Sequence, residues 1–186
     1  MAGSNEILLV RHGETDDNAA DRFQGRLDTH LNERGRAQSR ALARRLAGEG
    51  LRALYCSPLA RARESAQILA AELGLQPVYD ERFMEADTGE WTGRLYADVV
   101  AHASDEFAAW RSASPTFRFP GGESVAEQAA RVAAGLHDVR AAGRLPALVV
   151  CHGGAIRAVP GARRAAGDFV GNCALYRLAG PAQSAP

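Results

Sequence analysis

Residues 7–15 read ILLVRHGET, in which four apolar residues run directly into an arginine, a histidine and a glycine. A short apolar run of this kind is typical of a strand that is buried on both faces of a sheet. A similar pattern occurs twice more, where ALYC at 53–56 precedes Ser57 and ALVVC at 147–151 precedes His152. Amphipathic stretches separate these runs. This alternation predicts an α/β fold with a mainly parallel sheet covered on both faces.

Periodicity and turn residues indicate where the other elements lie. The predicted strands are 7–10, 53–56, 77–79, 147–151 and 174–178, and the predicted helices are 32–48, 59–73 and 124–142. Ser124 and Glu127 have the spacing of a capping box, which marks the start of the last helix. We expect these elements to form one domain spanning residues 1–186, with a loose tail at 179–186.

Polar residues follow three of the predicted strands at the point where each strand ends. The carboxyl ends of parallel strands share one edge of the sheet, so we expect His12, Ser57 and His152 to lie close together. Arg11 stands beside His12, and the planar fork of an arginine suits phosphate oxygens. Glycines follow His152, and a helix that starts after glycines offers free N–H groups to an anion. The sequence therefore predicts a phosphate site at this edge.

These residue types fit phosphoryl transfer, which needs cationic groups, a nucleophile and a proton donor for the leaving oxygen. Arg11, Arg61 and His152 would hold the phosphoryl group. His12 can attack phosphorus only through an unprotonated nitrogen, so its other ring nitrogen is expected to donate to a backbone carbonyl. A carboxylic acid kept protonated by the anionic substrate would then give its proton to the departing alkoxide.

The motif RHGET at 11–15 resembles the signature of the histidine phosphatase superfamily, which includes the cofactor-dependent phosphoglycerate mutases. Further segments resemble motifs of that family in the same order along the chain. They are Asn18, Gln24-Gly25, SPLARA at 57–62, Met84-Glu85, GEWTG at 89–93, PGGES at 120–124 and CHGG at 151–154. The resemblance extends from about residue 6 to residue 178 and is much more specific than the RHG triplet alone.

The resemblance implies a role for each matching residue. His12 would be the phospho-accepting nucleophile. Glu85 would be the general acid and later the base that activates water, although Asp87 and Glu90 compete with it in the same acidic run. The phosphate-binding residues would be Arg11, Asn18, Arg61, His152 and Gly153. The family's hydrolysis needs neither a metal nor an organic cofactor, so no metal ligands are expected.

The resemblance also implies a three-layer α/β/α sandwich of the phosphoglycerate mutase-like type. Residues from about 85 to 123 would form much of a lid over the pocket. The aromatic residues of that lid are expected to set the choice of substrate; they are Tyr96, Phe107, Trp110, Phe117 and Phe119. One segment departs from the family pattern. Only 19 residues separate His152 from Asn172, and Pro160 falls among them, so the helix after His152 should be shortened or replaced by a loop.

Composition excludes several classes of partner. Apolar residues make up 46% of the chain, charged residues 24%, and the formal net charge is zero, so neither nucleic acid nor an anionic membrane is an expected partner. No apolar stretch approaches the roughly 18 residues of a membrane helix. No leader is recognisable at the amino end, and the three scattered cysteines suit a reducing compartment. These features predict a cytoplasmic protein.

Three functions fit the sequence. The first is a metal-independent phosphatase that hydrolyses a small phosphorylated metabolite. The second is a phosphoglycerate mutase, although mutases of this family tend to be longer and to carry a larger lid. The third is a non-catalytic member that binds a phosphorylated ligand or a protein. Because Arg11, His12, Arg61 and His152 are all present, we favour the phosphatase. A homodimer is one of the assemblies that the resemblance allows.

Overall fold

The computed structural model describes residues 5–160 and 170–178; the predicted tail at 179–186 lies outside them. Its strands are β1 (Ile7–Arg11), β2 (Ala53–Cys56), β3 (Pro77–Tyr79), β4 (Ala147–Cys151) and β5 (Leu175–Leu178). Its α-helices are α1 (Asp16–Ala19), α2 (Glu33–Leu46), α3 (Ala60–Leu73), α4 (Tyr96–His102), α5 (Ser104–Arg111), α6 (Val125–Ala141) and α7 (Gly153–Arg157). Two short 3₁₀ turns, Glu81–Phe83 and Gly89–Trp91, lie between β3 and α4.

The five strands form one sheet in the order β3-β2-β4-β1-β5. The first four strands run parallel, whereas β5 pairs antiparallel with β1 at the edge of the sheet. The predicted α/β fold with a mainly parallel sheet is therefore confirmed. The central strands β2, β4 and β1 are neighbours, so the residues that follow them meet at one edge of the sheet.

Helices cover both faces of the sheet, so the sandwich has three layers, as predicted. One face of the sheet packs on α2 and α3 in an apolar core that includes Leu42, Leu46, Leu69, Leu54 and Val150. The other face packs on α6 and α7, with Phe83, Val132, Leu136, Val149 and Ile156 in its core. Because both faces of β1 and β4 are covered, every residue of these two strands is buried.

Two of the predicted helices, α2 and α6, begin directly after a residue whose side chain caps the helix. Asn32 caps α2 by accepting a hydrogen bond from the N–H of Gly35 at 2.8 Å. Ser124 and Glu127 form the predicted capping box in front of α6. The helix after His152 is shortened, as expected: α7 has five residues and stops before Pro160.

The region between the two 3₁₀ turns and α6 contains α4, α5 and a third apolar cluster. This cluster is built from aromatic rings that pack against one another, among them Phe23, Trp91, Phe107, Phe117 and Phe119. Neither α4 nor α5 has a side-chain cap, and both are short, so no capping motif or long amphipathic pattern indicates them. That this segment acts as a lid stays a prediction.

No helix in the described part of the chain has both the length and the apolar character needed to cross a membrane. The single domain, the cytoplasmic location and the homodimer stay predictions.

Two glycines bring the start of α2 against the turn that follows β1. A Cβ at Gly35 would lie 2.1 Å from the carbonyl oxygen of Glu14, and a Cβ at Gly13 would lie 2.4 Å from the carbonyl oxygen of Gly35. The N–H of Asn32 also donates to the carbonyl oxygen of Glu14 at 3.0 Å. The turn that carries His12 is thus fixed by direct backbone contact with α2.

We predict that Gly35→Ala lowers the free energy of unfolding by about 1–3 kcal/mol, because the new methyl group must displace backbone atoms of the turn. Gly48→Ala is the matched control, since a Cβ there meets nothing within 4 Å. Urea unfolding followed by circular dichroism measures both variants. Equal stability of the two would show that the close approach of α2 to the turn is not required.

Candidate active site

The residues predicted to act on phosphate do meet at the carboxyl edge of the sheet. Five of them line a cleft that is partly open to solvent: Arg11, His12, Asn18, Arg61 and Glu85. His152 and Gly153 do not line it. The geometry therefore brings together side chains from β1, α1, α3 and the loop after β3.

His12 is buried, and both ring nitrogens have partners. Nδ1 lies 2.7 Å from the carbonyl oxygen of Gly13, and Nε2 lies 3.2 Å from Nε of Arg61. A carbonyl oxygen can only accept and a guanidinium can only donate, so the hydrogen is on Nδ1 and Nε2 carries a lone pair. Burial lowers the pKa of His12 well below its ordinary value, and the charges of Arg61 and Arg11 lower it further. The ring is therefore neutral, with its basic nitrogen beside a cation.

Arg61 is 1% exposed and is held by backbone oxygens. Its Nη2 donates to the carbonyl oxygen of Gly25 at 2.8 Å, and its Nη1 donates to that of Leu27 at 2.7 Å. Burial lowers the pKa of Arg61 to about 10, so the group still carries its charge at neutral pH. These contacts fix the guanidinium plane next to His12 Nε2.

His152 lies behind His12, with the two ring centroids 5.1 Å apart. Its Nε2 is 2.8 Å from the hydroxyl oxygen of Ser57, which also accepts from the N–H of Leu59 at 3.3 Å. The buried hydroxyl needs an acceptor for its own hydrogen, and Nε2 supplies one. Burial and the neighbouring charge of Arg61 lower the pKa of His152 well below its ordinary value. Its hydrogen is then on Nδ1, which has no hydrogen-bond partner within the described residues.

Glu85 faces the same cleft from the loop after β3. Its Oε1 accepts from Nε2 of Gln128 and from the N–H of Ala86, each at 2.9 Å, and its Oε2 accepts from the N–H of Gly154 at 3.1 Å. A Cβ at Gly154 would lie 2.3 Å from Oε1, so a glycine there makes room for the carboxyl group. The competing carboxylates Asp87 and Glu90 do not line the cleft.

The two remaining predicted phosphate ligands differ in position. Asn18 lines the cleft from the third residue of α1, where its Oδ1 accepts from the N–H of Thr15 at 3.3 Å. Gly153 does not line the cleft: its Cα faces the side chain of Arg11, and a Cβ there would be 3.6 Å from Arg11 Nε. Its neighbour Gly154 does line the cleft, as does Gly25.

The expected role of the lid aromatics is only partly supported by their positions. Tyr96, Trp110 and Phe119 line the cleft. Phe107 and Phe117 are buried in the aromatic cluster and do not line the cleft. That the five aromatics set the choice of substrate stays a prediction. The sequence could not separate the two groups, since all five residues are aromatic and only their orientation differs.

Arg131 is a site residue that the sequence analysis missed. From α6 it donates to the carbonyl oxygens of Arg82, Met84 and Glu85 at 2.7–3.1 Å. Both carboxylate oxygens of Glu123 accept from the same guanidinium, at 2.6 and 2.8 Å. Arg131 therefore holds the backbone of the segment that presents Glu85. No motif marks such a contact, because an arginine in a helix that also contains Arg140 looks like a solvated residue.

The segment before β5 also contacts the site and was not identified from the sequence. Arg11 Nη1 donates to the carbonyl oxygen of Val170 at 2.5 Å, and the N–H of Cys173 donates to those of Arg11 and His12 at 3.0 and 3.3 Å. Asn172 Nδ2 donates to the carbonyl oxygen of His12 at 3.1 Å. The segment therefore holds the backbone of the turn at Arg11 and His12, in addition to the contact that the turn makes with α2.

No group of three or more histidine, cysteine, aspartate or glutamate side chains in residues 5–160 and 170–178 is arranged to hold a metal ion.

Comparison with known proteins supports the same chemistry. The sequence profile of the histidine phosphatase superfamily (branch 1) matches residues 7–167. Phosphoserine phosphatase 1 of Hydrogenobacter thermophilus is 37% identical over 73% of this chain, which spans 64% of that protein's length. Glucosyl-3-phosphoglycerate phosphatase of Mycobacterium tuberculosis is 34% identical over 86% of this chain and 75% of that protein. A solved structure of a mycobacterial glucosyl-3-phosphoglycerate phosphatase with VO₃ superposes with a TM-score of 0.86 at 31% identity, covering 96% of this chain and 92% of that one.

We predict that His12 and His152 stay neutral at about pH 5.5, where an imidazole with a pKa of about 6.5 is mostly protonated. Burial lowers the pKa of each ring in the folded state, so the unfolded chain binds protons more readily than the folded one. The free energy of unfolding is therefore expected to fall as the pH drops below about 6.5. Long-range ¹H–¹⁵N spectra, assigned with His12→Gln and His152→Gln, should show the Nδ1–H tautomer for both rings. A doubly protonated ring at this pH would contradict the prediction.

Proposed function

This chain belongs to branch 1 of the histidine phosphatase superfamily, and we propose that it is a metal-independent phosphatase that hydrolyses a small phosphomonoester through a phosphohistidine on His12. The observation that carries the proposal is the environment of His12. Its Nδ1–H is fixed on the carbonyl of Gly13, so the lone pair is on Nε2, where it accepts from Arg61 Nε until a phosphoryl oxygen takes over that N–H. A neutral, oriented imidazole next to a buried cation is what an attack on a phosphate dianion needs.

In the first half of the proposed reaction, His12 Nε2 attacks phosphorus while the ester P–O bond breaks. Arg11, Arg61, Asn18 and His152 would contact the phosphoryl oxygens, on which negative charge is concentrated. Glu85, in its protonated form, gives its proton to the departing alkoxide, which leaves as an alcohol. The products of this half are the alcohol, the N–P bond on His12 and the Glu85 carboxylate.

In the second half, the Glu85 carboxylate takes a proton from a water molecule whose oxygen attacks phosphorus. The N–P bond breaks and its electron pair returns to His12 Nε2, so inorganic phosphate leaves and both residues regain their starting forms. One group can serve both steps because alcohol and water occupy the same side of the phosphoryl group in turn. Water can reach this position because the cleft is partly open to solvent.

The side chains beyond the phosphoryl site suggest what the leaving group carries. Arg22 and Arg157 line the same cleft as His12. Asp17 lies 3.5 Å from Arg22. The Arg157 guanidinium lies over the ring of Trp110, 5.1 Å from its centroid, and its Nη2 donates to the carbonyl oxygens of Trp110 and Arg111. Because two cationic side chains line the cleft beyond the phosphoryl site, we propose that the substrate carries a carboxylate in addition to its phosphate. Phosphoserine and glycerate phosphates, which appear in the names of relatives, both have a carboxylate.

We predict that the purified protein releases phosphate from phosphomonoesters in the presence of a metal chelator and that His12→Ala abolishes this release. A panel of esters with and without a carboxylate should show lower KM values for the esters that carry one, because Arg22 and Arg157 line the cleft. Arg111→Gln is a control variant that should release phosphate as the unmodified protein does, since Arg111 is exposed and does not line the cleft. Released phosphate is measured directly.

Release that persists in His12→Ala would contradict the phosphohistidine. Isomerisation of a phosphoglycerate without phosphate release would instead favour the mutase, and phosphate binding without either reaction would favour a non-catalytic member of the family.

We predict that Glu85→Gln lowers kcat for an alkyl phosphate by about 10²–10⁴-fold, since an alkoxide needs a proton to leave. The loss for p-nitrophenyl phosphate should be much smaller in a pre-steady-state burst, because nitrophenolate leaves without a proton. Glu90→Gln is the matched control, as Glu90 belongs to the same acidic run but is exposed. Equal losses for the two esters would show that Glu85 is not the proton donor.

A further inference from the structure

The carboxamide of Asn172 connects the backbone of the nucleophile to the side chain of Asn18. Asn172 Nδ2 donates to the carbonyl oxygen of His12 at 3.1 Å and to Oδ1 of Asn18 at 3.0 Å. The N–H of Thr15 also donates to Asn18 Oδ1, at 3.3 Å. Both asparagines are half-buried, and they are 154 residues apart in the chain.

The chemistry of these contacts fixes the orientation of both amides. A backbone carbonyl only accepts, so the end of Asn172 that faces His12 must be the NH₂ group. The second hydrogen of that group then points at Asn18, so the atom it meets must be the Asn18 oxygen, and the Thr15 N–H agrees with this assignment. With its oxygen occupied, Asn18 is left with its NH₂ group for the cleft that it lines.

We propose that Asn172 is a positioning residue that makes Asn18 present hydrogen-bond donors to the phosphoryl group. This inference rests on the proposed function, since it assumes that a phosphoryl group occupies the cleft. An asparagine in the opposite orientation would present a carbonyl oxygen to phosphoryl oxygens and repel them. The same Asn172 amide restrains the His12 carbonyl, so one side chain aligns the nucleophile's backbone and a phosphate donor together.

The test uses inorganic phosphate as the probe and isothermal titration calorimetry as the readout, so that it does not depend on turnover. Asn172→Ala should weaken phosphate binding about three- to tenfold, the effect of one ordinary hydrogen bond, and Asn18→Ala about tenfold or more, since its partner is charged. If Asn172 acts through Asn18, the double variant should bind within about twofold of Asn18→Ala. Losses that multiply in the double variant, or an Asn172→Ala variant that binds as wild type does, would overturn the proposal.

A second variant separates orientation from loss of packing. Asn172→Asp keeps the shape but places an oxygen against both acceptors, so it should bind phosphate more weakly than Asn172→Ala in the wild-type background. In the Asn18→Ala background this extra loss should become smaller, because only the His12 carbonyl then still faces the new oxygen. An extra loss of the same size in both backgrounds would reflect simple charge repulsion and would overturn the proposal. Thermal unfolding of each variant checks that it is folded.

The outcome is distinguishable from a failure of the proposed function. A protein that hydrolyses no ester but shows coupled phosphate binding at Asn18 and Asn172 would disprove the phosphatase and support the positioning role. A protein with phosphatase activity and independent effects of Asn18 and Asn172 on phosphate binding would support the phosphatase and overturn the positioning role. In an active protein, the Asn172→Ala defect should appear mainly as a higher KM, with a smaller fall in kcat.

Discussion

The hydrogen bond from His12 Nδ1 to the carbonyl of Gly13 is the interaction on which the rest of the site depends. It joins adjacent residues, so it forms only if the backbone of this turn has the right shape. The turn is held by α2 through Gly35, by the Ser65 hydroxyl of α3, which accepts from the N–H of Gly13 at 3.0 Å, and by Cys173. Three separate parts of the fold therefore determine which nitrogen of one imidazole carries the proton.

The site also concentrates positive charge on buried side chains. Arg11 and Arg61 are both buried, and burial lowers the pKa of each. Backbone carbonyls accept the hydrogen bonds of Arg61 in place of a carboxylate, so its charge is oriented but not cancelled. Burial lowers the pKa of both histidines, and the charges of the two arginines lower it further. These charges have fixed positions before any ligand binds, which is the preorganisation that stabilises an anion.

The sequence was informative where local pattern and topology act together. The runs at 53–56 and 147–151 form strands with those bounds, because buried strands leave a continuous apolar signature. The edge strand at 77–79 also has the predicted bounds, although two of its three residues are exposed. The rule that parallel strands end at one edge then brought His12 and His152 together. Arg131 and Asn172 could not be found in this way. Both side chains donate to backbone carbonyls far away in the chain, and such carbonyls leave no trace in the residue pattern.

The edge of the sheet formed by β1 and β5 can be completed only after the rest of the described chain has been made. β1, near the amino end, pairs with β5, whose residues come almost last in the described chain. Val170, Asn172 and Cys173, which lead into β5, clamp the turn that carries the reactive imidazole. During synthesis, the parallel strands and their helices can assemble while this clamp is still missing. The turn that carries His12 therefore receives its full set of backbone hydrogen bonds only when the two ends of the described chain have met.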